Sequence, residues 1–336
     1  MSTARVDDPA QHAVSAAALW ERPWLRFGVQ RVTGLLVSFV LLVTVTFVIV
    51  PLIPGDPAAA IAGPEASGAE IAHIRQQLGL DEPLHVQFLD YVSGLLTLDL
   101  GTSFASGQDV ATVILARLPF TAELALLAIV LVLIISVPVG MLVAVLTHGG
   151  RRSWLDHLFN FVTSLVYSVP QYVMATLLVS VLAVGLGLFP AAGAETLLSL
   201  VLPTLALMLL PICVVSRVVR RETAIVLDQD YIRTARGWRI GRLRMFGRYV
   251  LPNVITTTLT LSGLILASQL GGAVVIERVF AWPGLGQGIV DAFQARDYPV
   301  IRGAILVLGL MATVIIIVVD VILAIIDPRT LEADHE

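Results

Sequence analysis

The chain combines long uncharged stretches with one internal segment that concentrates positive charge. Residues 217–248, RVVRRETAIVLDQDYIRTARGWRIGRLRMFGR, hold nine of its arginines and stand between two stretches apolar enough to cross a bilayer. In membrane proteins, loops rich in arginine and lysine remain on the cytoplasmic side. The pattern therefore predicts a helical membrane protein with a defined orientation and a structured basic surface in the cytoplasm.

The composition supports this class and excludes others. Of 336 residues, 57% are hydrophobic and only 14% are charged, whereas a soluble domain carries about 25% charged residues. The sequence contains arginine but no lysine, so it cannot form a standard P-loop, whose lysine contacts the β- and γ-phosphates of ATP. The single cysteine, Cys213, excludes an intrachain disulfide and a cysteine-based zinc cluster. Its apolar surroundings predict a buried, unreactive thiol.

Six stretches are long and apolar enough to span the hydrocarbon core, which requires about 20 residues. They lie at about 31–53, 121–147, 158–188, 197–216, 250–276 and 303–326. The first is longer than the apolar core of a signal peptide, and no A-x-A-type cleavage site follows it. Asp320 lies inside the last span. An acid there is a candidate functional group, and an acid that snorkels or pairs with another helix is an equally good interpretation.

The distribution of arginine predicts the orientation. Four arginines precede or begin the first span, two lie at 151–152 and nine at 217–248, against two at 54–118, none at 189–196 and three at 277–302. Both termini and the basic segment are therefore expected in the cytoplasm. This divides the chain into a cytoplasmic extension (1–30), a first transmembrane helix (31–53), an extracytoplasmic helical segment (54–118), a transmembrane core (119–326) and a cytoplasmic tail (327–336).

The segment 54–118 is too long for a simple turn and is predicted to hold two helices on the outer membrane surface. Ser67 and Glu70 form a capping box, apolar residues then recur at helical spacing, and Gly79 can end the helix. Pro83 begins a second amphipathic run. His73 and His85 lie in this segment. Because no third ligand accompanies them, two surface histidines are favoured over a metal site.

Residues 228–253, DQDYIRTARGWRIGRLRMFGRYVLPN, are the clearest candidate for a partner surface. Tyr231, Thr234, Ala235 and Trp238 recur at the spacing of one helix face, and glycines at 237 and 241 are expected to turn the chain. A short helix with small residues can fit a groove in a partner protein. The residues alone leave an equal alternative, a basic loop that anchors to anionic lipid headgroups.

This segment resembles the cytoplasmic "EAA" loop of bacterial ABC-transporter permeases. Other stretches resemble one branch, the permeases of dipeptide, oligopeptide and nickel importers, and specifically the first of their two permease subunits. They are LIPGDPAAAIAGPEAS (52–67), RQQLGLDEPLHVQFLDYVSGLLTLDLGTSF (75–104), RLPFTAELALLA (117–128), LPTLALMLLP (202–211), GGAVVIERVFAWPGLGQGIVDAFQARDYPVIRGAILVLG (271–309) and DPR (327–329). The resemblance extends from about residue 25 to residue 329.

The resemblance implies an all-α membrane protein with the type I ABC importer permease fold, six transmembrane helices and a small helical extracytoplasmic insertion between the first two. It implies a non-catalytic subunit of the bacterial plasma membrane that takes up short peptides or, alternatively, nickel or a metal chelate. No cofactor is expected in this chain, because two partner ATPase subunits would bind ATP and Mg. The other implied partners are a homologous second permease, an extracytoplasmic substrate-binding protein and membrane lipid, with no nucleic acid.

The resemblance also implies which residues couple the chain to the ATPases. They are Asp230, Tyr231, Thr234, Ala235, Arg236, Gly237, Arg239 and Gly241. The usual loop glycine of the family falls on Arg239 here, while glycines flank it at 237 and 241, so the turn is expected to be shifted. The substrate path would run between the two permeases, and residues 230–243 would transmit the movement of the ATPases.

Other functional classes have less support in the sequence. The predicted spans contain no histidine and one cysteine, which gives a bare metal ion few ligands. A secondary transporter often shows inverted repeats and charged midplane residues, and an intramembrane enzyme needs a Ser/His, paired-Asp or HExxH arrangement; the spans show none of these. The WPGLGQ motif (282–287) is expected on the outer side, either as a turn at the membrane interface or as a substrate contact.

Overall fold

The computed structural model describes residues 23–238 and 240–326, and this part of the chain is almost entirely helical. Its one isolated antiparallel bridge joins Thr102 and Asp109. Within the described residues, four helices are long and apolar enough to cross a membrane, and six spans result if each of two bent helix pairs counts as one. The predicted all-α membrane architecture is confirmed.

The helices are α1 (Pro23–Ile49), α2 (Pro57–Ala62), α3 (Gly68–Gln77), α4 (Leu84–Leu96), α5 (Val110–Thr147), α6 (Ser153–Ser168), α7 (Gln171–Leu178), α8 (Val201–Leu227), α9 (Asp230–Gly237), α10 (Arg242–Met245), α11 (Leu251–Val279), α12 (Leu285–Ala295) and α13 (Tyr298–Ile326). Short π-helical segments follow α7 (Val179–Gly185) and α10 (Phe246–Val250). We call the side of residues 217–248 the arginine-rich end and the side of residues 54–109 the insertion end.

The stretch expected as one span at 158–188 is bent, because the chain breaks at Pro170. Helix Ser153–Ser168 and helix Gln171–Gly185 meet at 94°. Proline disfavours helical backbone in the residue before it and lacks an N–H to donate. Val169 is accordingly extended, with φ −81° and ψ 123°. The proline was visible in the sequence, but apolar length alone did not register it.

The basic segment 217–248 is not a loop for most of its length. Helix α8 continues to Leu227, since arginine and glutamate are good helix formers and no proline or glycine interrupts the chain there. Two of the arginines fasten α8 to α6. Arg220 forms an ion pair with Asp156 at 2.6 Å, and Arg217 Nη1 donates to Ser164 Oγ at 3.5 Å. Part of the positive charge therefore stabilises the fold itself.

The closest helix packing joins α5 to α8. Gly140 of α5 makes it possible: a Cβ there would lie 2.6 Å from the Ser216 carbonyl oxygen and 2.7 Å from Val219. Small residues permit this kind of approach between membrane helices. Helix α8 carries the main buried cluster, in which Leu202 and Leu207 pack with Leu124 of α5. It is therefore the central helix of the fold.

The two helices predicted for the insertion form, as α3 and α4, and the short helix α2 precedes them. Glu70 Oε2 accepts from Ser67 N at 2.8 Å, and Ser67 Oγ accepts from Glu70 N at 3.3 Å, which completes the capping box. The backbone hydrogen bond from Ser67 lowers the pKa of the Glu70 carboxyl. Gly79 ends α3 with φ +66°, and Leu80 N donates back to Arg75 O at 3.1 Å. Helix α5 begins at Val110, earlier than the expected limit at 118.

Asp320 pairs with a neighbouring helix. Its Oδ2 lies 2.8 Å from Nη1 of Arg31, so an ion pair joins α13 to α1. This confirms the interpretation of Asp320 as an acid that pairs two helices. Loss of one partner leaves an uncompensated charge in a membrane-facing environment.

We expect Arg31→Gln and Asp320→Asn each to lower the thermal stability of the purified chain, because each removes the ion pair between α1 and α13. The double variant should recover part of the loss, with a coupling energy of about 1–2 kcal/mol. This is less than for a fully buried pair, because the Arg31 side chain is 39% exposed. Thermal unfolding in detergent measures all four proteins. Strictly additive losses would contradict the pairing.

Candidate functional site

Helix α9 is the short helix that the sequence predicted at the arginine-rich end. Gln229 precedes it in extended conformation, with φ −69° and ψ 146°. Asp230 occupies its first turn, where a negative charge interacts favourably with the helix dipole. The helix ends at Gly237. Arg239, one of the expected coupling residues, lies outside the described residues.

The buried face of α9 differs from the predicted one. Ile232 is 0% exposed and Ala235 is 3% exposed. Ile232 packs into the core with Leu227 and Met245. Ala235 therefore packs against the rest of this chain. The apolar side chain of Ile232, directly after Tyr231, indicated this buried face, and the predicted face did not include it.

The outward face of α9 carries two aromatic residues among polar ones. Trp238 is 76% exposed and Tyr231 is 43% exposed, whereas Ala235 is buried. Asp230, Arg233, Thr234, Arg236 and Gly237 are also exposed. Exposed tryptophan, tyrosine and arginine are the residues that dominate the binding energy of protein interfaces. The geometry therefore presents a compact docking face on a helix whose other side is fixed in the core.

The two glycines near α9 do not have the expected conformation. Neither Gly237 nor Gly241 has a positive φ, and a Cβ at either position would meet nothing within 4 Å. Neither position therefore depends on the conformational freedom of glycine. The chain turns back toward the membrane through Ile240 without a residue that requires glycine.

A cavity of about 780 Å³ lies beside α9. Its apolar lining includes Leu227, Ile240, Met245 and Phe246, and its polar lining includes His148, Arg151, Arg152 and Arg236. His148 Nε2 lies 3.0 Å from Asp228 Oδ1, which ties the end of α5 to the start of α9. The cavity extends the docking face with a concave surface that suits an apolar residue flanked by acidic groups.

One face of α11 is polar and exposed within a membrane helix. Asn253, Thr260, Leu264, Ser268, Gly271 and Val275 are exposed and recur every three, four or seven residues; we call these residues the α11 stripe. Thr260 Oγ1 donates to Thr256 O at 3.1 Å, and Ser268 Oγ donates to Ile265 O at 2.7 Å. Their oxygen lone pairs therefore remain available as outward acceptors. Such a face suits a second helix or a hydrated path better than lipid.

The WPGLGQ turn is largely buried against the neighbouring helices. Trp282 is 2% exposed, and its Nε1 donates to Phe120 O at 3.1 Å. Glu277, fully buried, accepts from Thr121 Oγ1 at 2.6 Å and from Gln287 N at 3.0 Å. Thr121 Oγ1 in turn accepts from Leu285 N at 2.8 Å. A buried hydrogen-bond network thus fixes the turn against α5 and α11.

Glycine is required at two positions of that turn. A Cβ at Gly286 would lie 2.5 Å from Val274 Cα and 2.8 Å from Glu277 Oε2, and one at Gly284 would overlap the Glu277 carboxylate.

The described residues contain no group of three or more histidine, cysteine or acidic side chains that could hold a metal ion. His73 lies on α3 and His85 on α4.

Comparisons with known proteins cover almost the whole chain. The family described as "Binding-protein-dependent transport system inner membrane component" matches residues 136–332. Its N-terminal companion, "Binding-prot-dependent transport system membrane comp, N-term", matches residues 24–125. The two matches together include the insertion and the membrane helices, and both describe the same kind of transport protein.

Two curated relatives and one solved structure define the similarity further. The chain is 40% identical over 308 residues to a putative peptide transport system permease protein of Brucella abortus (strain 2308), which covers 89% of this chain and 97% of the relative. It is 37% identical over 304 residues to the glutathione transport system permease protein GsiC of Salmonella typhimurium (strain LT2), covering 90% of this chain and 98% of that protein.

The solved structure shares the fold alone. It is titled "Inward facing conformations of the MetNI methionine ABC transporter: CY5 native crystal form", with a TM-score of 0.55, 15% identity, and coverage of 65% of this chain and 97% of that one. The chain belongs to the family of binding-protein-dependent transport system inner membrane components, the permease family that its motifs resemble.

Proposed function

We propose that this chain is one of two membrane subunits of an ATP-driven importer of short peptides. The outward face of α9, with Tyr231 and Trp238 exposed beside arginines, is the observation that carries the proposal. The names of the relatives from Brucella and Salmonella, a peptide and a glutathione permease, support peptides over nickel or a metal chelate. The arginine-rich end, with both termini, faces the cytoplasm.

The proposed partners would supply the activities that this chain lacks. Without lysine it has no P-loop, so two ATPase subunits would bind ATP and Mg and supply the energy. One of them would dock on α9 through Tyr231, Thr234, Arg236 and Trp238. A second permease would face the α11 stripe, and a substrate-binding protein would deliver the peptide at the insertion end.

Coupling in this proposal depends on rigid contacts within the chain. Ile232 holds α9 against the end of α8, and α8 packs closely on α5 through Gly140. Gln269 of α11 donates to Leu207 O of α8 at 2.5 Å. A partner that displaces α9 would therefore move α8 and α11 with it. Movement of packed helices as bodies is a known route from a local contact to a domain transition.

The α11 stripe supplies the proposed peptide path. Ser268 and Thr260 present acceptor oxygens, while Gly271 leaves space beside them. A peptide carries backbone N–H donors that such oxygens can accept. Because the hydroxyl protons are already donated within the helix, the surface favours donors without selecting a side chain.

We expect Tyr231→Ala and Trp238→Ala to reduce retention of the ATPase subunits and peptide uptake, since aromatic anchors of an interface are worth about 2 kcal/mol or more. Both side chains are exposed, so insertion of the permease should be unchanged. Trp154→Ala is the matched control, because Trp154 is 62% exposed at the same end but outside α9. Co-purification of the complex measures the effect.

Full retention of the ATPases and normal uptake by both α9 variants would refute this docking face. A surface that only anchors to anionic lipid predicts that result, because neither substitution removes an arginine. A comparable loss in Trp154→Ala would show that any exposed tryptophan at this end contributes, and it would also refute a specific role for α9.

The burial of α9 gives a second prediction. Ala235→Glu should destabilise the permease itself by at least about 2 kcal/mol, because it buries a carboxylate without a partner. Thr234→Glu, the neighbouring exposed position, should leave stability nearly unchanged. Gly241→Val should also fold, because its φ is not positive and its Cβ has open space. Thermal unfolding in detergent compares the three, and equal stability of the two glutamate variants would contradict the inward position of Ala235.

A further inference from the structure

A second cavity, of about 300 Å³, lies at the insertion end. Helix α4, the turn at residues 78–82, the loop at 99–104 and the first turns of α13 surround it. Its volume is at the lower limit for a small-molecule site. It lies at the opposite end of the molecule from the docking face of α9.

Arg302 forms one wall of this cavity. Its guanidinium lies 4.7 Å from the ring centre of Phe47 and 5.5 Å from that of Tyr91. Its Nε is buried and has no hydrogen-bond partner, and no carboxylate of the described residues forms an ion pair with it. Two aromatic rings offset part of the cost of burying the charge, but the Nε–H remains without an acceptor.

Five arginines of the described chain, Arg31, Arg75, Arg117, Arg220 and Arg278, each form an ion pair with an aspartate. Arg302 instead contacts two aromatic rings. A carboxylate in the cavity would satisfy it, because a guanidinium binds a carboxylate through two parallel hydrogen bonds.

The lining of the same cavity also carries negative charge. Glu82, Asp90 and Asp99 line it. The Asp99 carboxylate accepts from Gly101 N at 2.8 Å, which orients the loop, whereas exposed Asp90 has no ion pair among the described residues. A small cavity with one cationic wall and acidic groups beside it suits a ligand that carries both charges.

The wall formed by loop 99–104 is held in place before any ligand binds. Asp297, 3% exposed, accepts from Ser103 Oγ and from Phe104 N at 3.0 Å. Ser103 Oγ also accepts from Ser106 N at 3.0 Å. A wall that is already ordered reduces the entropy cost of binding.

We propose that this cavity binds a small zwitterion of amino-acid or dipeptide size. The ligand's carboxylate binds Arg302, and its ammonium group binds Asp90. Binding joins α13 to α4 and so stabilises the insertion against the membrane helices. The site is separate from the α11 stripe and does not rest on the peptide path.

Hydrogen–deuterium exchange on the full-length chain in lipid nanodiscs tests the site with dialanine as the probe. Millimolar dialanine should slow exchange in residues 78–104. N-acetyl-dialanine, which lacks the ammonium, and dialanine amide, which lacks the carboxylate, should not. Protection of residues 253–275 instead would report the proposed path and not this cavity, so the two proposals fail separately.

Variants identify the groups that bind. Asp90→Asn should weaken the dialanine effect at least about tenfold, or about 1.4 kcal/mol, and Arg302→Gln should do the same. Glu65→Gln, an exposed acid of the same insertion outside the cavity, should have no effect. Because Arg302 packs on two rings, Asp90→Asn is the decisive variant, since its side chain is exposed. Equal protection by the blocked peptides, an unchanged response of Asp90→Asn, or no protection of residues 78–104 would each overturn the proposal.

Discussion

The close packing of α8 against α5 is the constraint on which the rest of the structure depends. Gly140 has no space for a side chain because the Ser216 carbonyl and Val219 occupy it. In its most apolar window, α8 has 56% of its residues buried, whereas α13 has only 6%. Helix α8 is thus surrounded by its own chain, while the outer helices face lipid or partners. An element that packs on α8 moves with the core, and α9 packs on the end of α8 through Ile232.

Positive charge has two different uses in this protein. Arg31, Arg217 and Arg220 are directed into the chain, where they join α1 to α13 and α6 to α8. Arg233 and Arg236 remain exposed on α9. The arginine asymmetry that predicts orientation therefore does not by itself identify a binding surface. Burial of individual residues separates the arginines that hold the fold from those that can contact a partner.

The sequence predicted those elements that depend on local chemistry. Apolar length located the spans, and the Ser67–Glu70 capping box and Gly79 set the limits of α3, because each acts within a few residues. Apolar length reports bilayer thickness and not helix length, so it missed that α8 runs on to Leu227. Periodicity assigned Tyr231, Thr234, Ala235 and Trp238 to one face, yet only the packing of Ile232 decides which side turns inward.

Contacts between residues far apart in the chain could not be predicted from the sequence. The Glu277–Thr121 bond that buries the WPGLGQ turn joins residues 156 positions apart, and no local pattern indicates it. The same is true of the cavity around Arg302, which four separate segments enclose. Both features arise where helices of different spans meet, and there a residue's role depends on what the fold places opposite it.

Site-specific photo-crosslinking on α9 tests the central claim most directly. A photoreactive residue at position 238, in cells that contain the whole transporter, should form a crosslink to a P-loop ATPase subunit. The same residue at position 232 should crosslink only within the permease, because Ile232 is fully buried. Capture of lipid alone at position 238, or of the ATPase at position 232, would contradict the account.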